Sequence, residues 1–352
     1  MQGAVFVGDR KVELQNFPDP TPGPRDVVLE IKASGMCGSD LKFYRASADG
    51  GTAALGLGDI EGPIIGGHEP CGVVAEVGSG VTEAEAHIGQ RVMVHHYHGC
   101  GVCGHCRTGW SQLCRDGFEV YGVTANGAHA THMRAPVETL VPLPETLSFE
   151  TGAAISCGTG TAFGALRRCA LSGRDTVAIF GQGPVGLSAT QLAHAMGARV
   201  LALDISPERR ALAEQFGADA VIDPASDAKG GAVEALKELT HGEGVDLAID
   251  CSGVPAARLA AVQATRTWGT TCFVGEGDTV TLDVSPDMLR KQLTIIASWT
   301  FSSVGQRDCA RFIADRAIDI DALFSHRYRL DQVTEAYELF DTQTTGKGVF
   351  LF

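Results

Sequence analysis

The stretch VAIFGQGPVG, residues 177–186, decides how this chain is read. A short β-rich run enters a Gly-x-Gly-x-x-Gly turn and leaves on a helical pattern over 187–196, which is the strand–turn–helix unit that binds a dinucleotide. In that unit Gly181 permits the tight turn, Gly183 lets backbone approach a pyrophosphate, and Gly186 lets the helix pack on its strand. Pro184 and Val185 open the helix, whose N-terminus favours the phosphates. A second strand pattern, 199–203, ends at Asp204, close to the place of an acid that binds the adenosine ribose. An ordinary glycine-rich βα turn shares the bare fingerprint; strand, turn, helix, second strand and terminal acid together separate the two readings.

Outward from this stretch, strand and helix patterns alternate from about residue 157 to 297, which predicts parallel strands with helices on both faces. Residues 1 to about 35 alternate in strand fashion, broken by the turn-rich run 18–24, PDPTPGP, and 71–77 and 90–94 add further strand signals. A length of 352 residues suits two domains. The expected fold class is therefore α/β, a Rossmann doubly wound parallel sheet plus a β-rich, barrel-like domain. The expected domains are 1–156 (β-rich domain, first part), 157–297 (nucleotide-binding) and 298–352 (return to the β-rich domain).

Four cysteines, Cys100, Cys103, Cys106 and Cys114, sit in GCGVCGHCRTGWSQLC. Thiolates this close can converge on one ion, and four sulfurs around tetrahedral zinc are the natural product. An iron–sulfur cluster or disulfides are the alternatives, and nothing around the quartet favours either. A closed four-sulfur site has no open position, so it braces a loop and does no chemistry. Elsewhere Cys37-Gly38-Ser39-Asp40, Gly67-His68-Glu69 and Cys157-Gly158-Thr159-Gly160 offer a cysteine, a histidine and a distant second cysteine. Three protein ligands with a fourth position left over is how catalytic zinc sites are built, although each residue alone reads as ordinary core.

With these motifs in this order, the chain resembles the zinc-dependent medium-chain dehydrogenase/reductase family, the alcohol and polyol dehydrogenases, over essentially its whole length. The resemblance implies a GroES-like catalytic domain, and Cys37, His68 and Cys157 as catalytic zinc ligands with Glu69 as an exchanging one. It implies Ser39 as the hydroxyl that takes the alcohol proton and Asp40 as the acceptor that fixes the His68 tautomer. It further implies nicotinamide contacts from Val274, Gly275, Ser298 and Trp299, and a phosphate contact from Lys347. Where the family commonly completes the proton relay with a histidine, this chain has Lys42, read either as a relay member or as a solvated lysine that helps hold cofactor phosphate. Asp204 favours NAD over NADP, although Arg209 and Arg210 near that strand end could accommodate a phosphate; Arg209 is read as lining the adenosine site and both arginines otherwise as on a solvated helix face.

The formal charge is −14, from 28 basic and 42 acidic residues, so there is no basic footprint for nucleic acid or an anionic membrane. The start, MQGAVFVGDRKVEL, reads as a strand and not a signal peptide, and no apolar run approaches membrane length. The metal pattern places the eleven cysteines in a reducing cytoplasm, with Cys71, Cys169, Cys251, Cys272 and Cys309 as ordinary core or loop residues. The implied reaction is oxidation of a secondary alcohol, diol or polyol to a ketone, and the reverse, by hydride transfer to NAD. Two zinc ions per chain are expected, one catalytic and one structural. The glycine-rich stretch 48–58 is a candidate part of the substrate entrance, and the resemblance brings Phe43-Tyr44 and the run His95-His96-Tyr97-His98 near the same cleft, with His96 where simple alcohol dehydrogenases tend to carry a large apolar residue; the histidines read equally as surface residues of the quartet's lobe. A threonine or amino-alcohol dehydrogenase is the alternative within the family, and a non-catalytic zinc-binding protein the alternative outside it. A homo-oligomer, tetramer or dimer, is expected through 268–274 and 293–299, although buried core strands would look the same.

Overall fold

The computed structural model describes residues 1–47, 62–226 and 231–352. Contacts divide the chain into two units: Met1–Gly160 with Phe301–Gln343 and Lys347–Phe352, and Thr161–Thr300 with Thr344–Gly346. This division lies a few residues from the expected 157 and 297, and it assigns 344–346 to the nucleotide-type unit, where Thr345 O accepts from Arg209 Nε at 3.3 Å. The glycine-rich substrate loop expected at 48–58 lies outside the described residues. Among the described residues no helix is long and apolar enough to cross a membrane.

The first unit begins with the antiparallel pair β1 (Gln2–Gly8) and β2 (Lys11–Asn16), then β3 (Asp26–Gly35) and the short helix α1 (Asp40–Arg45). It continues with β4 (Pro70–Val77), β5 (Arg91–Val94), β6 (Tyr97–His98), α2 (Gly104–Arg107), β7 (Glu119–Val120), β8 (His132–Pro136), β9 (Leu140–Pro142) and α3 (Phe149–Ile155). The organising strand is β3. It pairs antiparallel with β4 on one side, and on the other first with β8 and then, near Gly35, with a strand from the chain's return. Val27, Leu29 and Ile31 of β3 are fully buried with Val74, Val92 and Met133 in one apolar cluster. Each such side chain contributes roughly 1.5–3 kcal/mol by leaving water.

Helix α4 (Gly158–Arg168) leads into the second unit, which runs β10 (Thr176–Phe180), α5 (Pro184–Ala195), β11 (Arg199–Leu203), α6 (Pro207–Gln215), β12 (Ala220–Ile222), α7 (Gly231–Leu239), β13 (Val245–Asp250), α8 (Pro255–Ala264), β14 (Thr265–Phe273), α9 (Val284–Asp287) and β15 (Thr294–Ala297). Its six strands lie in the order β12-β11-β10-β13-β14-β15, all pairs parallel. The central strands are apolar at nearly every position because both faces are covered, as the sequence pattern predicts. The chain steps from β10 outward to β12 and then crosses back to β13, so strand order reverses beside β10, where doubly wound sheets bind their ligands.

The return adds α10 (Ser303–Arg316), β16 (Phe324–Tyr328), α11 (Val333–Asp341) and β17 (Lys347–Leu351) to the first unit. Strand β17 pairs with the end of β3 in the register Val349↔Gly35, and Met36 N donates to Gly348 O at 3.0 Å. That pairing sets the last strand against the segment that carries Cys37.

Candidate metal centres and nucleotide site

In the first unit, Cys37 follows the end of β3, His68 and Glu69 precede β4, and Cys157 lies between α3 and α4. The fold brings one ligand atom from each within 4.8 Å of the others. Exposure is 8% at Cys37, 4% at His68, 0% at Glu69 and 9% at Cys157, so the cluster is cut off from bulk water. The Sγ atoms of Cys37 and Cys157 are 3.8 Å apart. A tetrahedral ion with Zn–S bonds of ~2.3 Å needs an edge of about 3.8 Å, so the thiols are already spaced for it. The hydrogen bond between them holds the Cys37 thiol well below its ordinary value and, with burial, raises Cys157.

His68 turns Nδ1 to Asp40 Oδ1 at 2.9 Å, which leaves Nε2 for the cluster. Burial opposes charge on the ring, yet Asp40 and Cys37 outweigh it and hold the imidazole well above its ordinary value. To hold an ion through Nε2 the ring would have to give up that proton. Asp40 is the first residue of α1 and is itself buried; its Oδ2 accepts from Cys37 N at 2.9 Å and from Tyr337 OH at 2.9 Å. Ser39 Oγ lies 3.3 Å from Cys37 Sγ and 3.2 Å from His68 Nε2, at the lip of the cluster. Lys42 is on the exposed side of α1.

Lys347 requires a correction. Its expected phosphate contact is replaced by an internal one: the ammonium is 2% exposed and donates to Glu69 Oε1 at 2.7 Å and to Met36 O at 2.9 Å. Position 347 opens β17, and the pairing of that strand with β3 turns the side chain inward, behind the metal cluster. Burial pushes the Glu69 carboxyl up to about 8 against the pull of Lys347. The carboxylate fills a space that only a glycine leaves, since a Cβ on Gly35 would come within 1.9 Å of Glu69 Oε2. Sequence reasoning missed this pair because its members are 278 residues apart.

The second cluster is local. Cys100, Cys103, Cys106 and Cys114 also have ligand atoms within 4.8 Å of one another, all four partly exposed. The loop's own amides serve the sulfurs: Cys100 N donates to Cys114 Sγ and Cys103 N to Cys100 Sγ, each at 3.3 Å. Backbone N–H groups of Cys106 and Arg115 hold the Cys103 thiol down at about 6, favouring the thiolate a metal needs. Beside the first cluster, His96 donates from Nδ1 to Ser156 O at 2.7 Å, and its ring centroid is 5.3 Å from that of His68. Burial holds His96 neutral, well below its ordinary value.

In the second unit the glycine turn has the geometry its sequence requires. Gly181 has φ +87°, and a Cβ on Gly186 would stand 1.8 Å from Gly181 O. A Cβ on Gly183 would meet nothing nearer than Arg209 Nη1 at 4.0 Å, so the backbone there is open to an approaching phosphate. Asp204 is buried at the end of β11, where Oδ2 accepts from Gln182 N at 2.6 Å and Oδ1 from Ser206 N at 2.8 Å. It thus braces the glycine turn, and each oxygen keeps a lone pair for a further donor. Arg210 is turned to the Asp204 and Ile205 carbonyls at 2.7 and 3.0 Å and to Asp223 at 3.2 Å. Val274 N and Gly275 N both donate to Asp250 O at 3.0 Å, Ser298 is buried after β15, and Trp299 Nε1 donates to Glu276 Oε1 at 2.7 Å.

Residues 23–145 match the alcohol dehydrogenase GroES-like domain, and residues 184–315 match the zinc-binding dehydrogenase domain. The chain is 39% identical over 359 residues to a zinc-type alcohol dehydrogenase-like protein of Escherichia coli, YphC, covering 100% of this chain and 99% of that one. It is 31% identical to L-idonate 5-dehydrogenase of Vitis vinifera, over 97% and 91% of the two chains. Among solved structures, 2R,3R-butanediol dehydrogenase from Bacillus subtilis superposes with a TM-score of 0.86 at 26% identity, over 100% and 99%. Likeness that runs the full length of the chain, with a match to each of the two domains, makes this chain a member of the zinc-dependent medium-chain dehydrogenase/reductase family.

Proposed function

We propose that this chain oxidises a secondary alcohol, diol or polyol to the ketone, and catalyses the reverse, with NAD as the hydride acceptor. The observation that carries the reading is the buried Cys37, His68, Cys157 cluster, with its 3.8 Å sulfur pair and Asp40 behind the histidine. These three residues would hold the catalytic zinc with Glu69 available to exchange, and the Cys100, Cys103, Cys106, Cys114 quartet would hold a structural one. When bound, the catalytic zinc supplies positive charge that lowers a hydroxyl pKa, and NAD supplies the electron acceptor that zinc cannot be.

The rest falls to the chain's own side chains. Ser39, at the lip of the cluster, takes the proton of the alcohol and passes it outward, to Lys42 on the exposed side of α1 or to water. Asp40 keeps a proton on His68 Nδ1, so that Nε2 keeps its lone pair. Lys347 draws Glu69 back from the ligand set. Because the Nδ1–H of neutral His96 is spent on Ser156 O, its Nε2 is an acceptor suited to a second hydroxyl. The relatives named for L-idonate and butanediol point the same way, towards a carbinol flanked by further oxygen.

For the nucleotide, Asp204 would accept from ribose hydroxyls and repel a 2′-phosphate, while Arg209 lines the adenosine end and Arg210 is occupied elsewhere. Pro184 and Val185 open the helix at the pyrophosphate, and Val274, Gly275, Ser298 and Trp299 serve the nicotinamide. The sequence-based domains 1–156, 157–297 and 298–352 then correspond to catalysis, cofactor binding and the return. We place the enzyme in the cytoplasm as a homo-oligomer, dimer or tetramer, associated through 268–274 and 293–299, where Trp268 of β14 is 71% exposed.

The test is a substrate panel of primary alcohols, secondary alcohols, vicinal diols, polyols and threonine, each with NAD and with NADP. Highest kcat/KM for diols or polyols with NAD is the expected result. Threonine heading the panel would move the assignment to the amino-alcohol reading, and two bound zinc ions without turnover of any alcohol would overturn it.

A further inference from the structure

Behind Asp40 lies a run of buried polar groups that no assigned role uses. Tyr337 OH is 2.9 Å from Asp40 Oδ2, His129 Nε2 is 2.7 Å from Tyr337 OH, and Ser34 Oγ is 2.8 Å from His129 Nδ1. Ser34, His129 and Tyr337 are all 0% exposed, and they come from β3, the loop before β8, and α11. Their surroundings are apolar: the Tyr337 ring packs edge-on to Phe6 at 4.9 Å, and His129 edge-on to Phe350 at 4.8 Å.

The direction of every hydrogen bond follows from the acceptor at one end. A carboxylate can only accept, and Asp40 already faces Cys37 N and the Nδ1 of His68, so Tyr337 must donate to it. The phenol oxygen then accepts from His129 Nε2–H. A neutral imidazole protonated there has Nδ1 as acceptor, so Ser34 donates. Burial supports the neutral ring, holding His129 down at about 4. The chain of donors is one-way from Ser34 to Asp40, and the carboxylate's other oxygen faces His68.

A second contact ties His129 to the same ligand. A Cβ on Gly67, at φ +88°, would come within 2.4 Å of His129 Nδ1, so the ring lies against the backbone that immediately precedes His68. His129 N also donates to Gly66 O at 2.9 Å. The imidazole therefore supports both the turn that carries the ligand and the carboxylate that orients it.

We propose that Tyr337, His129 and Ser34 are positioning residues of the metal centre, a buried donor chain that fixes Asp40 and through it the His68 ring, setting how tightly the centre keeps its ion. The inference rests on the reading of Cys37, His68 and Cys157 as the catalytic zinc site. Outer partners of metal-bound histidines tune affinity about 10–100-fold, and Tyr337 acts one step further out, so about tenfold is expected for its hydroxyl.

Tyr337→Phe keeps the ring and removes the donor. The protein, loaded with zinc, is challenged with a chelator while released metal and thermal midpoint are followed, and parallel samples are loaded with cobalt for visible spectra. The parent should hold two ions, and Cys37→Ser identifies the one that belongs to the quartet. The expected result is about tenfold faster loss of the Cys37, His68, Cys157 ion from Tyr337→Phe, a shifted cobalt spectrum, and unchanged retention by the quartet. Ser34→Ala reads the far end of the chain, with a loss rate raised about threefold, and serves alone if Tyr337→Phe does not fold. Retention equal to the parent in the variants that fold, with only the thermal midpoint lowered, overturns the proposal, because it makes the hydroxyls purely structural. A parent that holds one ion, unchanged by Cys37→Ser, instead removes the zinc reading on which the proposal stands.

Discussion

The two cysteine clusters of the first unit are built in opposite ways. The quartet takes four sulfurs from one short loop, stays partly exposed, and is served by the loop's own amides. The other takes its ligands from remote segments, its two cysteines 120 positions apart in sequence, and is largely buried. Loop closure of such spans costs the chain entropy that local ligands avoid, so the remote centre depends on packing and on buried partners. Asp40, Lys347 and Tyr337 are those partners, and among the described residues the quartet's neighbour Asp116 is exposed, not buried as they are. A site made by a loop can brace; a site made by the whole fold can be tuned.

The comparison is broken most directly at Cys37. Cys37→Ser should lower turnover about a thousandfold or more, since several kcal/mol of charge stabilisation go with the ion, while NAD binding and the quartet's metal remain. Steady-state kinetics with metal analysis checks this, and retained turnover separates catalysis from that centre. Lys347→Met comes next. It removes the buried donor to Glu69, whose carboxyl, already pushed up to about 8, then takes a proton, so the cost should be about 1–3 kcal/mol in urea unfolding, part of it recovered when Glu69→Gln is added. Equal stability of the single variant would mean that the pair contributes nothing behind the cluster.

Cys103→Ser should remove one ion per chain, speed proteolytic cleavage between residues 99 and 115, and lower the thermal midpoint by about 2–4 °C, with turnover within about tenfold of the parent. A collapse of turnover as deep as that of Cys37→Ser would erase the distinction between bracing and catalysis. The smallest effect is expected at His95, whose ring packs beside His96 and Phe301. Burial holds it down at about 4, against 6.5 when unfolded. Between those values the unfolded chain binds the extra proton, so stability is full above pH 6.5 and falls as pH drops towards 4. At pH 5 the loss is on the order of 2 kcal/mol, and His95→Phe should show correspondingly less fall between pH 7.5 and pH 5 in urea titrations.

What could be read from the chain alone follows the same divide. The quartet and the glycine turn are legible because their geometry is set by spacing within a few residues, and the alternation from β10 onward is legible because covered strands are apolar throughout. The remote centre is legible only through likeness to relatives, since Cys37, His68 and Cys157 each look like core residues. Lys347 misleads because lysines are almost always exposed, and only the pairing of β17 with β3 turns it inward. Tyr337 falls in the buried stripe Val333, Ala336, Tyr337, Phe340 of α11, a pattern that announces packing and conceals the hydroxyl.

The register of β17 against β3 also sets an order of events in the cell. A ribosome must translate the entire parallel-sheet unit after Cys157 before the strand bearing Lys347, or the helix bearing Tyr337, leaves the exit tunnel. The nascent chain can close its cysteine loop early, but the remote pocket has to wait, half-built, with Glu69 lacking its countercharge until position 347 has emerged.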